Sequence, residues 1–378
     1  MDFTFDTEQV ALRDAVRGLL TKAYDSSETR RAVVNEGQGW KDDTWQRLAE
    51  MGILGLPFAE EDGGMGAGPV EVSIVAEEIG RVLAPEPFIE GIVLAGGLIS
   101  SVGTSEQRAD LLGQIAEGTL VPAFAGSEPG RRWSLNASDV KATQSGDSWT
   151  LTGVKEPVLG GARADLLVVT AAIGDGTALF TVAADATGLT RDGYKTHEGG
   201  RAARVTFDST PATPLGEPGA DQSSAVAAAV ARAQIAYSHE AIGAMEVALE
   251  ETTAYLKTRK QFGVTLNKFQ ALTFRAADMY VSLELAKSVV SWATLVLDAG
   301  EDAGEAASRA KAIVSRTSRH IGQEAIQLHG GIGMTAEYSV GHYTSRLTAI
   351  EHTLGDGQHH IGLLAASVAD HGVVDALR

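Results

Sequence analysis

Residues 223–263 read SSAVAAAVARAQIAYSHEAIGAMEVALEETTAYLKTRKQFG, and the fold turns on this stretch. Ile235, Ile242, Met245 and Leu249 recur at helical spacing and form one apolar stripe. The run is long and rich in alanine, which lets helices approach closely, as in an antiparallel bundle. It closes on Arg259-Lys260-Gln261-Phe262-Gly263. By capping statistics this is a helix C-terminus, because cations favour the last turn and glycine follows it. The same residues also suit a ligand. A guanidinium grips a phosphate in bidentate fashion, and a Phe ring covers a flat aromatic group. Gln270 follows closely enough to offer its amide to the same ligand.

Downstream, Ala310, Ile313, Val314, Thr317, Ile321, Ala325 and Leu328 form a second stripe. It runs into Gln327-Leu328-His329-Gly330-Gly331-Ile332-Gly333. These glycines cap a helix, or their bare backbone lets a pyrophosphate approach. They follow a helix rather than a strand, so they are no Rossmann fingerprint. Residues 223–378 therefore read as a C-terminal four-helix bundle. Upstream, residues 121–222 read as strands. Trp149-Thr150-Leu151-Thr152 and Ala203-Arg204-Val205-Thr206-Phe207-Asp208 alternate faces, and 164–173 and 178–182 are β-rich apolar runs. With no helical pattern between them, an antiparallel sandwich or barrel is expected. This zone opens on Phe124-Ala125-Gly126-Ser127-Glu128-Pro129-Gly130. That is a turn between domains, or a backbone edge where Ser127 and Phe124 meet a polar heterocycle.

Residues 1–120 read as helices. Leu12, Val16 and Leu19-Leu20 keep helical spacing, and 44–54 and 70–83 repeat the pattern. A Gly-rich loop, 60–66, lies between them, and Pro85 and Pro87 break the chain afterwards. The expected fold class is thus α+β and mostly α: an N-terminal helical domain, a central β sandwich or barrel, and a C-terminal bundle.

The 31 basic and 49 acidic side chains give a formal charge of −18, which disfavours nucleic acid and anionic lipid as partners. With no cysteine, thiolate metal sites, disulfides and cysteine catalysis are excluded. The N-terminal residues lack the basic and apolar regions of a secretory signal, and no uninterrupted apolar run of about 18 residues is present, so a cytoplasmic protein without a membrane span is expected. His352, His359 and His360 near Asp356 do not have the spacing of a helical metal pair, so no metal is expected.

Taken in order, these segments resemble the acyl-CoA dehydrogenase family over nearly the whole chain. Pro57–Gly66 resembles its PEEyGGlG loop, and Trp149–Lys155 its W-x-l-n-G-x-K strand. Arg259–Gly263 with Phe269-Gln270 matches R-x-x-F-G…Q, and Gln327–Gly333 matches Q-x-x-G-G-x-G. The resemblance implies a tetramer holding FAD extended at subunit interfaces. Arg259, Phe262 and Gln270 would reach a neighbour's FAD, and Gln327, Gly330 and Gly331 would meet its adenosine and pyrophosphate. Phe124 and Ser127 would border the isoalloxazine of their own subunit, and Gln358 matches a further family Gln. The implied reaction is α,β-dehydrogenation of an acyl-CoA. A desolvated carboxylate removes the α-proton, the β-hydride goes to the flavin, and an electron-transfer flavoprotein takes the electrons.

The sequence departs from the family where the base should be. Counting ungapped, the family's Y-E-G-T segment falls on Thr353-Leu354-Gly355-Asp356, so Leu354 stands in place of Glu. Its backbone N–H still suits the thioester oxygen. Glu351 matches only through a gap, and the alternative base position of some members falls on Ala233. Glu240, two helical turns later on a similar face, is the other candidate base. Tyr237 is expected to set pocket depth. The family's W-x-T that packs on the flavin reads Pro157-Val158-Leu159, and its Gly-Ser-Asp reads Arg132-Trp133-Ser134. These losses raise a second expectation: a partner subunit of an α2β2 heterotetramer that completes a catalytic chain's FAD site. The resemblance links such heteromers to acyl-CoA dehydrogenases of actinobacterial steroid breakdown, with bulky CoA thioesters as substrates. Otherwise the chain is an active homotetramer.

Overall fold

Local signals set the element boundaries of the helical zone. The Asp6 carboxylate accepts from the Gln9 N–H while the Gln9 side chain accepts from the Asp6 N–H, a capping box that starts α1 (Thr7–Ala23). The computed structural model of the chain describes residues 5–35 and 39–368. After α1 come α2 (Ser27–Asn35), α3 (Asp42–Glu50) and α4 (Pro69–Val82). A π-helix, Phe88–Gly96, runs into α5 (Gly97–Val102), and α6 (Ser105–Ala116) completes the zone. The pattern expected to run over 44–54 splits at Gly52, which adopts φ 76°, so α3 stops at Glu50 and a short 3-10 turn follows.

Seven strands follow: β1 (Pro122–Ala125), β2 (Lys141–Ser145), β3 (Ser148–Leu159), β4 (Leu166–Ile173), β5 (Gly176–Ala183), β6 (Leu189–Lys195) and β7 (Arg201–Pro214). Pairing runs β4–β2–β3–β7–β5 and back to β4, which closes a barrel. β1 joins β4 and β6 joins β7. The pairings are antiparallel except that β1 and β2 each run parallel to β4, a mixed sheet that local alternation does not announce. β4 is buried on both faces: Leu167, Val169 and Ala171 join the barrel core, while Leu166 and Val168 join the helical core. The alternation in β1 sends Ala123 and Ala125 into the barrel and Phe124 towards the helices.

The chain then forms α7 (Ser223–Thr258), a hairpin of β8 (Lys260–Gln261) and β9 (Val264–Thr265), α8 (Gln270–Asp298), α9 (Gly304–His329), α10 (Ser339–His352) and α11 (Gly357–Ser367). Helices from both ends of the chain share one core, in which α4 packs on α7. Two glycines allow that crossing. A Cβ at Gly80 would sit 1.9 Å from the Glu240 carbonyl oxygen, and one at Gly243 would sit 2.1 Å from that of Glu77. Among the described residues α8 is the one helix long and apolar enough to cross a membrane, a feature that counting uninterrupted apolar residues overlooked. It packs against α7 and α9, yet Phe274, Tyr280, Val281 and Leu285 stay exposed along it.

Candidate functional site

Two regions carry the candidate residues. The first is a surface at the end of α7. β8 and β9 pair Lys260 with Thr265 and Gln261 with Val264, leaving Phe262-Gly263 as a two-residue turn. Both turn residues have positive φ, 53° and 83°, the pattern of hairpin turns that normally favour Asn-Gly. Phe262 is 91% exposed and meets the Phe269 ring edge-on, ring centres 6.2 Å apart. Arg259 and Gln270 are exposed beside it. On the α9 side Gln327, Gly330 and Gly331 are also exposed, and a Cβ added at either glycine would meet nothing within 4 Å. These motif residues therefore leave open backbone, a flat ring and a cation turned away from their own chain. That fits the adenosine and pyrophosphate of a dinucleotide cofactor shared with a second chain.

The second region is internal: a cavity of about 350 Å³ between the π-helix, the barrel and α7. Phe124, Ser127 and Pro157 border it from the barrel, with Arg132 and Trp133 beside them. α7 contributes a stripe from Ala227 through Ala231 and Gln234 to Tyr237, which spans about 15 Å along the helix axis. Leu354 lines the cavity with φ 55°, and Gly355 after it has φ 113°. The Leu354 carbonyl accepts from Gln234 Nε2 at 2.8 Å and lies 3.3 Å from His360 Nε2. Its N–H has no partner among the described residues. Asp356 then caps α11 by accepting from the His359 N–H. Gln358 is exposed on that first turn and does not line the cavity.

Neither candidate base faces this cavity. Glu240 is 1% exposed, and both its oxygens are taken: Oε1 by Arg346 Nε at 2.6 Å and Oε2 by Nη2 at 2.8 Å. Arg346 Nη1 adds Glu198 Oε1 at 3.2 Å, so the fork is filled. Glu240 instead borders a second, polar cavity of about 60 Å³. Spacing alone put Glu240 on the expected face, but a long-range partner 106 positions later claims it. Glu351 is buried and its carboxylate accepts from Arg319 on α9. Lys311, fully buried, donates to the Ile350 carbonyl at 2.6 Å, with the Glu351 carbonyl 3.4 Å away, and pins the end of α10. Burial lowers its pKa from 10.5 to about 7.

The Trp149–Lys155 strand ends in a charge pair of the barrel. Lys155 Nζ lies 3.0 Å from Glu128 Oε1 and from the Gly126 carbonyl, and 2.8 Å from Thr170 Oγ1. Burial lowers the Lys155 pKa to about 8. For Glu128, burial opposes ionisation, but the Val140 and Asp139 N–H groups and Lys155 outweigh it and hold the pKa at about 2. The pair fixes the Gly126-Ser127 backbone where it borders the cavity.

The family model described as "Acyl-CoA dehydrogenase, N-terminal domain" matches residues 6–119, and that described as "Acyl-CoA dehydrogenase, C-terminal domain" matches 224–369. The mitochondrial short-chain specific acyl-CoA dehydrogenase of Bos taurus is 30% identical, covering 77% of this chain and 74% of its own. The chain belongs to the acyl-CoA dehydrogenase family. As a member it is an oxidoreductase acting on acyl-CoA. Among solved structures it is similar to a variant of the Tcur3481–Tcur3483 steroid ACAD, with 32% identity, 96% and 98% coverage of the two chains and a TM-score of 0.88. It also shares the fold of PigA with FAD and proline, with 19% identity, 98% and 100% coverage and a TM-score of 0.90.

For this acyl-CoA dehydrogenase, reading the sequence missed three polar residues of the interior: Glu90, Gln234 and Arg346. Among the described residues Glu90 is the only carboxylate lining the larger cavity. A signal for it exists, because it is the lone charge in the apolar run 88–99. Gln234 and Arg346 carry no comparable signal; each is defined by a partner more than a hundred positions away.

Proposed function

We propose that the chain takes part in FAD-dependent α,β-dehydrogenation of an acyl-CoA thioester, with the cofactor held in a cleft made by two chains. One observation carries this reading: Phe262 stands 91% exposed on a left-handed backbone. Non-glycine residues in that region cost about 1 kcal/mol, and leaving a Phe in water forgoes about 2 kcal/mol of burial. The chain regains neither by itself. A flat ligand and a neighbouring chain would regain the burial and so offset the strain, and the exposed Phe274, Tyr280, Val281 and Leu285 of α8 offer that neighbour an apolar face. Arg259, Phe262 and Gln270 would hold the cofactor of the adjacent chain, with Gln327, Gly330 and Gly331 at its adenosine and pyrophosphate.

When bound, FAD supplies the two-electron acceptor for the β-hydride. The chain's own residues bind and polarise. Ser127 and Phe124 border the reaction end of the cavity, and the unpaired Leu354 N–H suits the thioester oxygen, which makes the α-proton more acidic. An electron-transfer flavoprotein would be the electron acceptor. The likeness to a steroid ACAD favours a bulky or steroid-derived acyl group.

A second reading rests on a separate observation: Glu240 and Glu351 are both engaged by arginines, away from the cavity. The chain would then complete the FAD site of a homologous catalytic chain in an α2β2 assembly. Purification alone and together with such a homologue, with FAD content read from visible absorbance, separates the two. One FAD per chain with turnover by the lone protein supports a homotetramer. One FAD per two chains, with turnover only in the mixed assembly, supports the heterotetramer. An oligomer that binds no FAD in either preparation overturns both.

A further inference from the structure

Glu90 sits in the π-helix, a rare form that often marks functional positions, and it is a wall shared by the two cavities. On its far side, the small cavity is lined by Arg30, Glu86, Glu198, Arg201, Glu240 and Arg346. Most of these groups have hydrogen-bonding partners other than Glu90. Arg346 spends three nitrogens on Glu240 and Glu198. Arg30 Nε donates to the Leu83 carbonyl at 2.6 Å, and its Nη2 reaches the Glu198 carbonyl at 3.5 Å. Glu86 accepts from the Tyr24 hydroxyl, and burial raises its pKa to about 7. Among the described residues Glu90 makes no direct ion pair, although the Arg346 guanidinium is near enough to pull its pKa down. Its polar neighbour is the Tyr237 hydroxyl, itself on a side chain 1% exposed, while Leu94 and Leu159 make the surrounding cavity wall apolar. Burial raises the Glu90 pKa against the opposing pull of Arg346.

Glu90 and Tyr237 satisfy each other only in part, because a carboxyl and a hydroxyl together offer more donor and acceptor positions than one shared bond uses. Their position says what uses the rest. The Leu354 carbonyl docks at Gln234, and Tyr237 lies three residues further along α7, about 4.5 Å up the axis. If Leu354 marks the thioester, Glu90 and Tyr237 face the acyl group beyond it. We propose that Glu90 and Tyr237 form a recognition pair for an oxygen atom, hydroxyl or keto, carried on the acyl group of the substrate. The inference rests on the reading of the cavity as an acyl-CoA site. It narrows the substrate class to acyl thioesters oxygenated a few bonds from the thioester. A plain hydrocarbon chain would leave Glu90 and Tyr237 with only each other and their remaining hydrogen-bonding capacity unused, and sites built to hydrogen-bond discriminate strongly against such analogues.

The test is binding, which needs no turnover. The purified oligomer with its FAD is titrated calorimetrically with hexanoyl-CoA, 6-hydroxyhexanoyl-CoA and 5-oxohexanoyl-CoA. The wild type should bind at least one oxygenated thioester about tenfold more tightly than hexanoyl-CoA, the worth of one well-made hydrogen bond. Glu90→Gln, which keeps shape and hydrogen bonding, should retain most of that preference. Glu90→Leu should abolish it while binding hexanoyl-CoA at least as well, and Tyr237→Phe should reduce it. Equal affinity for all three in the wild type overturns the proposal, as does a preference that survives Glu90→Leu or binding of none of the three. FAD content and turnover are measured on the same preparations. Turnover without oxygen preference defeats this inference alone, and oxygen preference without FAD or turnover defeats the dehydrogenase reading alone.

Discussion

The hairpin surface and the interior cavity divide the work of this molecule in opposite ways. At the surface, Arg259, Phe262, Gln270, Gly330 and Gly331 are exposed, and their order along the chain is enough to pick them out. In the interior, Glu90, Tyr237, Gln234 and Leu354 come from distant segments, and each is defined by what faces it. The surface spends conformational strain on a ring that its own chain leaves 91% exposed, which is the ground for proposing a partner outside the chain. The interior spends burial of charge, and it balances Arg346 against Glu240 and Glu198 within the chain. A motif meant for another molecule would be locally legible in this way, while a charge network is legible only once the chain is folded.

The largest expected effect tests the interior. Glu240→Ala leaves the largely buried Arg346 without its bidentate partner, and should lower stability by about 3 kcal/mol, read from the urea midpoint. A Glu240→Gln chain that folds normally yet loses α-proton exchange would break the comparison, because it would make this interior carboxylate a base rather than a structural partner. Next comes the surface. The double change Arg259→Ala with Phe262→Ala should weaken FAD retention about a hundredfold, roughly 2.7 kcal/mol, with the thermal midpoint of the FAD-free protein unmoved. A falling midpoint would mean that the hairpin serves its own fold.

A smaller effect is linked to pH through Lys311. Its folded pKa of about 7 lies below its ordinary 10.5, so between these values the unfolded chain holds a proton that the folded chain lacks. Stability should therefore rise with pH across that window, by up to about 1.4 kcal/mol per unit from this group, and Lys311→Met should flatten the rise. Chemical denaturation at a series of pH values reads the slope, and an unchanged slope in the variant would place the charge elsewhere. The smallest effect sharpens the contrast most. Phe262→Asn creates the Asn-Gly pair that the turn geometry favours and should raise the thermal midpoint by the equivalent of at most about 1 kcal/mol, while FAD retention falls. A gain in stability with a loss of cofactor would show strain kept for function.

The sequence by itself determined the succession of helices, strands and helices, because hydrophobic period and turn residues are local properties that burial of one face enforces. It also picked out the cation, ring and glycines of the exposed hairpin surface proposed to face the cofactor, since these are defined by residue type within a few positions. The parallel pairing of β1 and β2 with β4, the engagement of Glu240 by Arg346 and of Glu351 by Arg319, and the meeting of Glu90 with Tyr237 were decided only in three dimensions. Each depends on which distant group occupies the facing position, and a one-dimensional pattern holds no record of that distance.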